Sequence, residues 1–338
     1  MEQGLKRAGN FMTGQASRRR FLAGIAIAGL TRAAVVAADA ASSNIVQGQG
    51  NMNMVQHTSE AVSTNHLTVP GARLYYEVSG SGPVLLLIPG GPVDADGFAT
   101  SVGHLEDHYT VVRYDPRGIS RSRLDGPAED VPVGVHADDA QQLLLAIGTD
   151  PAYVVGSSGG AVIGLALAER HPAQVQTLVA HEPPLLELLP EGSERRKGNQ
   201  AIYDTYLKEG AGPAMELFAA VAGLEEAAPP ADQSPEALEA MAQQMARMEQ
   251  NMDFFFAHYL MPITTYRPNF SKLQMQAASS RVVVGVGEES GGQLANETAL
   301  ALAERLGTDA VVFPGDHMGM MMHPEAFTEK LDEVFRAS

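Results

Sequence analysis

From Asn65 onward the chain is a succession of short apolar runs separated by stretches whose apolar residues recur at three- and four-residue spacing. Short unbroken apolar runs predict strands buried on both faces, and the longer periodic stretches predict helices that pack by one face. The strands fall at about 65–69, 73–79, 84–88, 110–115, 152–156, 175–181, 281–286 and 310–314, and the helices at 94–106, 135–147, 159–171, 293–306 and 324–336. Their alternation implies βαβ units, hence an α/β fold with an eight-stranded, mostly parallel sheet and flanking helices. The alternation is interrupted once. Between 183 and 277 there is no buried-strand pattern, several segments have helical spacing, and Pro183, Pro184, Pro190, Pro229, Pro230 and Pro235 set boundaries. This stretch is expected to be a helical cap inserted into a core made of 65–182 and 278–338. Within it Met241, Met245, Met248, Met252 and Phe255 or Phe256 form a helical stripe, expected to pack on the core or within the cap, with part of it a candidate wall for an apolar pocket.

The residues before the core follow other rules. Positions 41–64 are rich in Asn, Gln, Ser and Gly without sustained periodicity, which predicts a linker. Positions 1–40 predict an export signal of the twin-arginine type: Ser17, Arg18, Arg19, Arg20, Phe21 and Leu22, then an apolar run from Ala23 to Leu30, then a small-x-small site at Ala38, Asp39 and Ala40. A membrane-spanning helix needs about 20 unbroken apolar residues, and Thr31 and Arg32 interrupt this run. The expected partner of this segment is the twin-arginine export machinery, and the expected location of the mature protein is periplasmic or extracellular.

Composition narrows the chemistry. Apolar residues make up 45% and charged residues 19%, enough to build a core and too few charges for a disordered chain. The net charge of −17 opposes binding to nucleic acid, which depends on clustered Lys and Arg. Removal of 1–40 leaves 17 basic against 38 acidic side chains, a net −21. The chain has no Cys, so disulfides, thiolate metal sites and a thiol nucleophile are all excluded.

The sharpest local signal is Ala152-Tyr-Val-Val-Gly-Ser-Ser-Gly-Gly, an apolar strand that runs into Gly156, Ser157, Ser158, Gly159 and Gly160 and then into a helix pattern. G-x-S-x-G between strand and helix puts Ser158 on a tight turn with its hydroxyl above the sheet, while Gly156 and Gly160 let the backbone pass closely on both sides. Ser157 would leave Val155 where that turn wants a small residue. A serine hydroxyl needs a base to take its proton. His317 is the candidate, because it follows the last apolar strand on a Pro314-Gly315 turn; His323 before Pro324 suits a helix cap. An oxyanion hole requires backbone amides. Gly159 supplies one, and Gly91, in the Pro89-Gly-Gly-Pro loop after the third strand, is the candidate for the other.

Together these features resemble the α/β-hydrolase superfamily over about 66–336, through PGGP, YDPRGISRS, GSSGG, HEPP, GEES and PGDH after successive strands. Two positions depart from it, Pro89 where His is common and Ser120 where Gly is more frequent. The resemblance implies a third catalytic member, an acid that orients His317. Its usual position, after the strand at 281–286, reads Gly287, Glu288, Glu289 and Ser290, which makes Glu289 the first choice; the alternative position after the strand at 175–181 is occupied by Glu182. Asp115, Arg117 and Asp316 are expected to be structural. The expected activity is that of a serine esterase: cleavage of an ester or similarly activated acyl bond in a small-molecule substrate through an acyl-enzyme, with no cofactor and no metal. The rivals are perhydrolysis or acyl transfer on the same site, and a non-enzymatic protein that uses the pocket to hold a small ligand.

Overall fold

Along each central strand consecutive apolar side chains point to opposite faces, so a strand buried on both sides needs an apolar residue at every position. Val84–Ile88 meets this condition: Leu86 and Ile88 join one core, Leu85 and Leu87 the other. In this computed structural model residues 62–148, 150–224, 235–275 and 281–337 are described. The expected export signal at 1–40 and the linker up to position 61 lie outside the described residues.

The strands are β1 (Ser63–Val69), β2 (Ala72–Ser79), β3 (Val84–Ile88), β4 (Thr110–Tyr114), β5 (Arg123–Leu124), β6 (Ala152–Ser157), β7 (Val175–His181), β8 (Arg281–Gly287) and β9 (Val311–Phe313). They form a single sheet in the order β1-β2-β4-β3-β6-β7-β8-β9, with β5 paired to β2. The pairs made by β2 are antiparallel, and every pair from β4 to β9 is parallel. Two details differ from the sequence expectation. β1 begins at Ser63, because the ladder with β2 continues to Ser63 opposite Val78. The two-residue β5 exists only through its pairing with Ala72 and Arg73, and two residues carry no periodicity of their own.

The helices are α1 (Ala99–Leu105), α2 (Val133–Ile147), α3 (Gly159–Arg170), α4 (Glu194–Glu209), α5 (Ala211–Ala222), α6 (Pro235–Phe254), α7 (Leu260–Thr264), α8 (Phe270–Met275), α9 (Leu294–Leu306), α10 (Gly319–Met322) and α11 (Pro324–Arg336). On one face of the sheet Phe98 just before α1, Val102 of α1, and Phe327 and Leu331 of α11 are buried against Leu85, Leu87, Val111 and Val155. On the other, α2, α3 and α9 bury Ala140, Leu143, Leu165 and Leu302 in the larger core. Elements α4 to α8 make the insertion, and its described residues contain no strand. Met248, Met252, Phe255 and Phe256 of the stripe are buried in that larger core, Met245 packs against it, and the Met241 side chain lies outside what is described. A π-helical turn at Phe255–Tyr259 separates α6 from α7; such turns rotate the following residues and recur at functional sites.

Candidate active site

The parallel register aligns the carboxyl ends of four strands, where ligands of open α/β sheets sit. Ser157 pairs with His181, His181 with Gly285, and Gly287 with Phe313. Ser158, Glu182, the loop after Gly287 and the loop after Phe313 therefore emerge side by side, although they are far apart in sequence.

Ser158 stands between β6 and α3 with φ 55° and ψ −123°, a conformation that side chains rarely adopt. Its amide donates to the His181 carbonyl (2.9 Å). The turn is possible because its flanks are bare. A Cβ on Gly156 would lie 2.3 Å from the Gly160 carbonyl oxygen, and one on Gly160 would lie 2.0 Å from the Ile88 carbonyl oxygen. Gly159 opens α3, so its amide is among those that a helix N-terminus leaves without an internal acceptor. The β3 loop packs on this turn, since a Cβ on Gly90 would come within 2.7 Å of the Gly159 nitrogen. Gly91 follows with φ 61°; a Cβ there would meet nothing within 4 Å, so the left-handed backbone, not space, calls for glycine.

His317 Nδ1 lies 2.7 Å from Glu182 Oε2. A carboxylate only accepts, so in this contact Nδ1 carries the proton and Nε2 is left as the basic nitrogen. Glu182 is fully buried, and its φ of 50° swings the carboxylate across the end of β8. There Oε1 accepts from the Gly287 amide (2.9 Å), the Ser290 hydroxyl and Asn296 Nδ2 (3.5 Å). Burial acts to raise the Glu182 pKa, but the hydrogen bond and charge of His317, with help from His181 and Ser290, outweigh it and hold it down at about 2. Behind the pair, burial brings the His181 pKa down to about 4, which makes it a neutral ring stacked 6.4 Å from His317.

The carboxylate on His317 is thus that of Glu182 and not that of Glu289. Glu289 is exposed, and what it contributes is a backbone amide, donated to the Gly315 carbonyl (2.9 Å). The side chain of its neighbour Ser290 is the one turned inward, onto Glu182. Asp316 accepts from the Met318 amide (2.8 Å), which ties its carboxylate to the following turn. Asp115 accepts from the amides of Ala95 and Arg121 (2.9 Å each), and Arg117 binds Asp139 through Nε and Nη2. These are structural roles in the loops around the site.

Two cavities meet at Ser158 and His317 and share Gly91, Phe218 and Leu224. The first lies under the insertion between Leu186, Ile202, Phe255 and Ile263, with Asn199, Thr264 and Gln293 as its polar points. The second is lined by Val93, Phe98, Met215, Met318 and Met321. Tyr259 closes over the turn, since a Cβ on Gly159 would lie 3.3 Å from its hydroxyl. Sequence reasoning missed Ser290 and Asn296, which hold Glu182, and the polar cavity residues of the cap. Ser290 closes the GEES motif, where attention falls on the two glutamates; Asn296 and the cavity residues belong to no short motif, and their only signal is a polar residue on a helix or in a loop. Among the described residues there is no group of three or more His, Asp or Glu placed to hold a metal ion, and no helix long and apolar enough to cross a membrane.

This sheet order, turn and late histidine define a class, and comparison with known proteins agrees. The profile of the alpha/beta hydrolase fold matches residues 83–287. The uncharacterized hydrolase YraK of Bacillus subtilis (strain 168) is 39% identical over 275 residues, 81% of this chain and 96% of that protein. Among solved structures, an alpha/beta hydrolase from Sphaerobacter thermophilus DSM 20745 is 25% identical with a TM-score of 0.59, covering 80% of this chain and 100% of that one. A thermophilic esterase from Thermogutta terrifontis shares the fold at 22% identity and a TM-score of 0.60, over 82% of this chain and 99% of that one. The chain belongs to the α/β-hydrolase family, and it is a hydrolase of that fold.

Proposed function

We propose that this protein is a serine esterase that cleaves carboxylic esters of small, largely apolar molecules through an acyl-enzyme. The observation that carries the reading is the 2.7 Å contact of His317 Nδ1 with a buried Glu182 carboxylate, made at the mouth of two apolar cavities that both expose Ser158. In this reading His317 Nε2 takes the Ser158 proton as Oγ attacks the ester carbonyl, and Glu182 stabilises the imidazolium. The Gly91 and Gly159 amides receive the negative charge that develops on the carbonyl oxygen. The imidazolium returns its proton to the departing alkoxide, which leaves as an alcohol. A water then attacks the acyl-enzyme with His317 again as base; the acid departs and Ser158 regains its proton. A serine at the elbow supports acyl chemistry over an alkyl-enzyme ester, which requires a carboxylate nucleophile. Two cavities suit a substrate with an apolar group on each side of the ester.

The test is a panel of p-nitrophenyl esters of increasing acyl length, run beside labelling with a fluorophosphonate. Turnover and labelling that both vanish in Ser158→Ala support the reading. Turnover that survives in Ser158→Ala overturns it, and ligand-induced stabilisation without labelling assigns the site to binding instead. Peroxide and alcohols added as competing nucleophiles separate hydrolysis from perhydrolysis and acyl transfer.

We also propose that residues 1–40 are a twin-arginine export signal, supported by Ser17 to Leu22 and the apolar run after them. In a bacterial host with that machinery the protein should be recovered outside the cytoplasm, and Arg18→Lys with Arg19→Lys should retain it inside.

A further inference from the structure

The apolar contact of α6 with the core is accompanied by polar contacts that converge on one stretch, residues 92–96, together with Ser120. Asn251, 2% exposed, donates from Nδ2 to the Pro92 carbonyl (2.9 Å) and to Ser120 Oγ (2.9 Å), and its Oδ1 accepts from the Ser120 amide (2.7 Å). One helical turn earlier Arg247 donates from Nε to Asp94 Oδ2 (3.0 Å) and from Nη2 to Asp96 Oδ2 (2.5 Å). Ser120 Oγ in turn donates to Asp94 Oδ2 (2.8 Å). From the opposite side the core grips the same stretch, through the Ala95 amide on Asp115 Oδ1 (2.9 Å) and Arg113 Nη1 on the Ala95 carbonyl (3.2 Å).

This stretch begins one residue after Gly91. Beside Gly91 the loop has little hydrogen bonding of its own: Pro92 has no N–H, and the Val93 amide reaches the Gly90 carbonyl only at 3.4 Å. Local bonds begin at Asp94, whose Oδ1 accepts from the Asp96 amide (3.1 Å) and whose carbonyl accepts from the Gly97 amide (3.0 Å). The shape of the part next to Gly91 therefore depends on what holds it from outside. Among the described residues, three non-glycine residues have positive φ: Ser158, Glu182 and Ser120, the last at 44°. Backbone strain of that kind persists where the surroundings over-determine it. At position 120 a glycine would be unstrained, and what serine adds is the hydroxyl that joins Asp94 to Asn251. Buried polar groups are also a costly way to dock a helix that Met248 and Met252 already anchor. Their return is directional geometry, and the geometry they define is that of the chain next to Gly91.

We propose that Asn251, supported by Arg247, is a positioning residue for the oxyanion hole: α6 sets where the Gly91 amide points, so the insertion whose other elements line the cavities also completes the hole. This rests on the reading of Gly91 and Gly159 as the oxyanion donors. Amide donors act only when held within a fraction of an ångström, and a misplacement of about 1 Å costs on the order of a hundredfold in rate.

The experiment compares the full-length protein with Asn251→Ala, Asn251→Asp and Tyr266→Phe. Asn251→Asp keeps the side-chain size and removes the donor to Pro92. Tyr266→Phe removes a different contact between insertion and core, the hydroxyl on Glu169 Oε2 (3.0 Å) near the C-terminal end of α3, which involves no residue of the loop. With p-nitrophenyl butyrate, both Asn251 variants should lose about tenfold or more in kcat while KM changes less than about threefold. Their rate of inactivation by a fluorophosphonate should fall by a similar factor, and hydrogen exchange should quicken in a peptide spanning 89–98 but not in one spanning 156–160. Tyr266→Phe should keep kcat within about twofold. Folded Asn251 variants with unaltered kcat and unaltered exchange would overturn the proposal, as would an equal loss in Tyr266→Phe or a change confined to KM. A wild-type protein that neither turns over esters nor is labelled would sink the esterase reading instead; exchange over 89–98 would still decide whether Asn251 holds that loop.

Discussion

Ser158 and Glu182 share an unusual property, a left-handed backbone on a residue with a full side chain, and each spends that strain on aiming one functional group. Replacing the groups separates their roles. Ser158→Ala should lower kcat by at least about a thousandfold. Glu182→Gln should lower kcat by about a hundredfold or more, since an amide can present the wrong hydrogen-bonding partner to Nδ1, whereas Glu289→Ala should stay within about twofold because its carboxylate is in solvent. Steady-state kinetics of the three variants checks the assignment, and equal turnover in Glu182→Gln and Glu289→Ala would remove Glu182 from it. The same carboxylate links stability to pH. Its folded pKa of about 2 lies below the ordinary 4.5, so its contribution is complete above 4.5 and is lost as the pH falls toward 2. His181 acts earlier: with a folded pKa of about 4 against 6.5, it costs stability as the pH drops from 6.5 to 4, where the unfolded chain binds its proton more readily. Urea unfolding at pH 6 and pH 3 should therefore show a smaller acid-induced loss in Glu182→Gln than in the wild type.

At the scale of elements, the turn around Ser158 is a packing problem as much as a chemical one. Gly160→Ala would drive a Cβ into the Ile88 carbonyl with no flexible side chain to yield, and should cost at least about 3 kcal/mol in chemical denaturation. Met252→Ala should cost about 3 kcal/mol for the cavity left in the larger core. How legible each element was depends on how local its cause is. The strand, Gly156 to Gly160 and the helix after it form one continuous stretch, so their pattern sufficed to place Ser158. Strand β5 was invisible because its two residues are extended only by pairing with Ala72 and Arg73. The choice between Glu182 and Glu289 was equally hidden. Both sit on strand-end loops of the right kind, and only the pairing of β7 with β8 and the turn at Glu182 decide which carboxylate faces His317. Arg247 and Asn251 sit between the methionines of α6 among polar residues that read as its solvated face; their partners are about 150 residues away.

For the whole molecule, the alternation of apolar runs and helical spacing was enough to determine an α/β sheet with an inserted helical cap, because burial on both faces of a parallel strand imposes itself on every residue of that strand. The chain also carries in its own order the candidate nucleophile, the late histidine and the two glycine loops, since each depends on a few neighbouring residues. The acidic balance belongs to this level too: a net −17 over the full chain makes association with nucleic acid the wrong expectation, and retention on an anion exchanger with no shift of a DNA probe is the outcome that checks it. Tertiary structure decided the rest. It brought Glu182 onto His317, joined two apolar cavities at Ser158, and laid α6 across the loop that follows Gly91. Those contacts span from about one hundred to more than one hundred and fifty residues, and no local preference encodes a partner at that distance. Only the closing of the sheet and the docking of the insertion bring them within hydrogen-bonding reach, which is why the sequence alone pointed to Ser158 and His317 as candidates and only the fold showed which side chains lie against them.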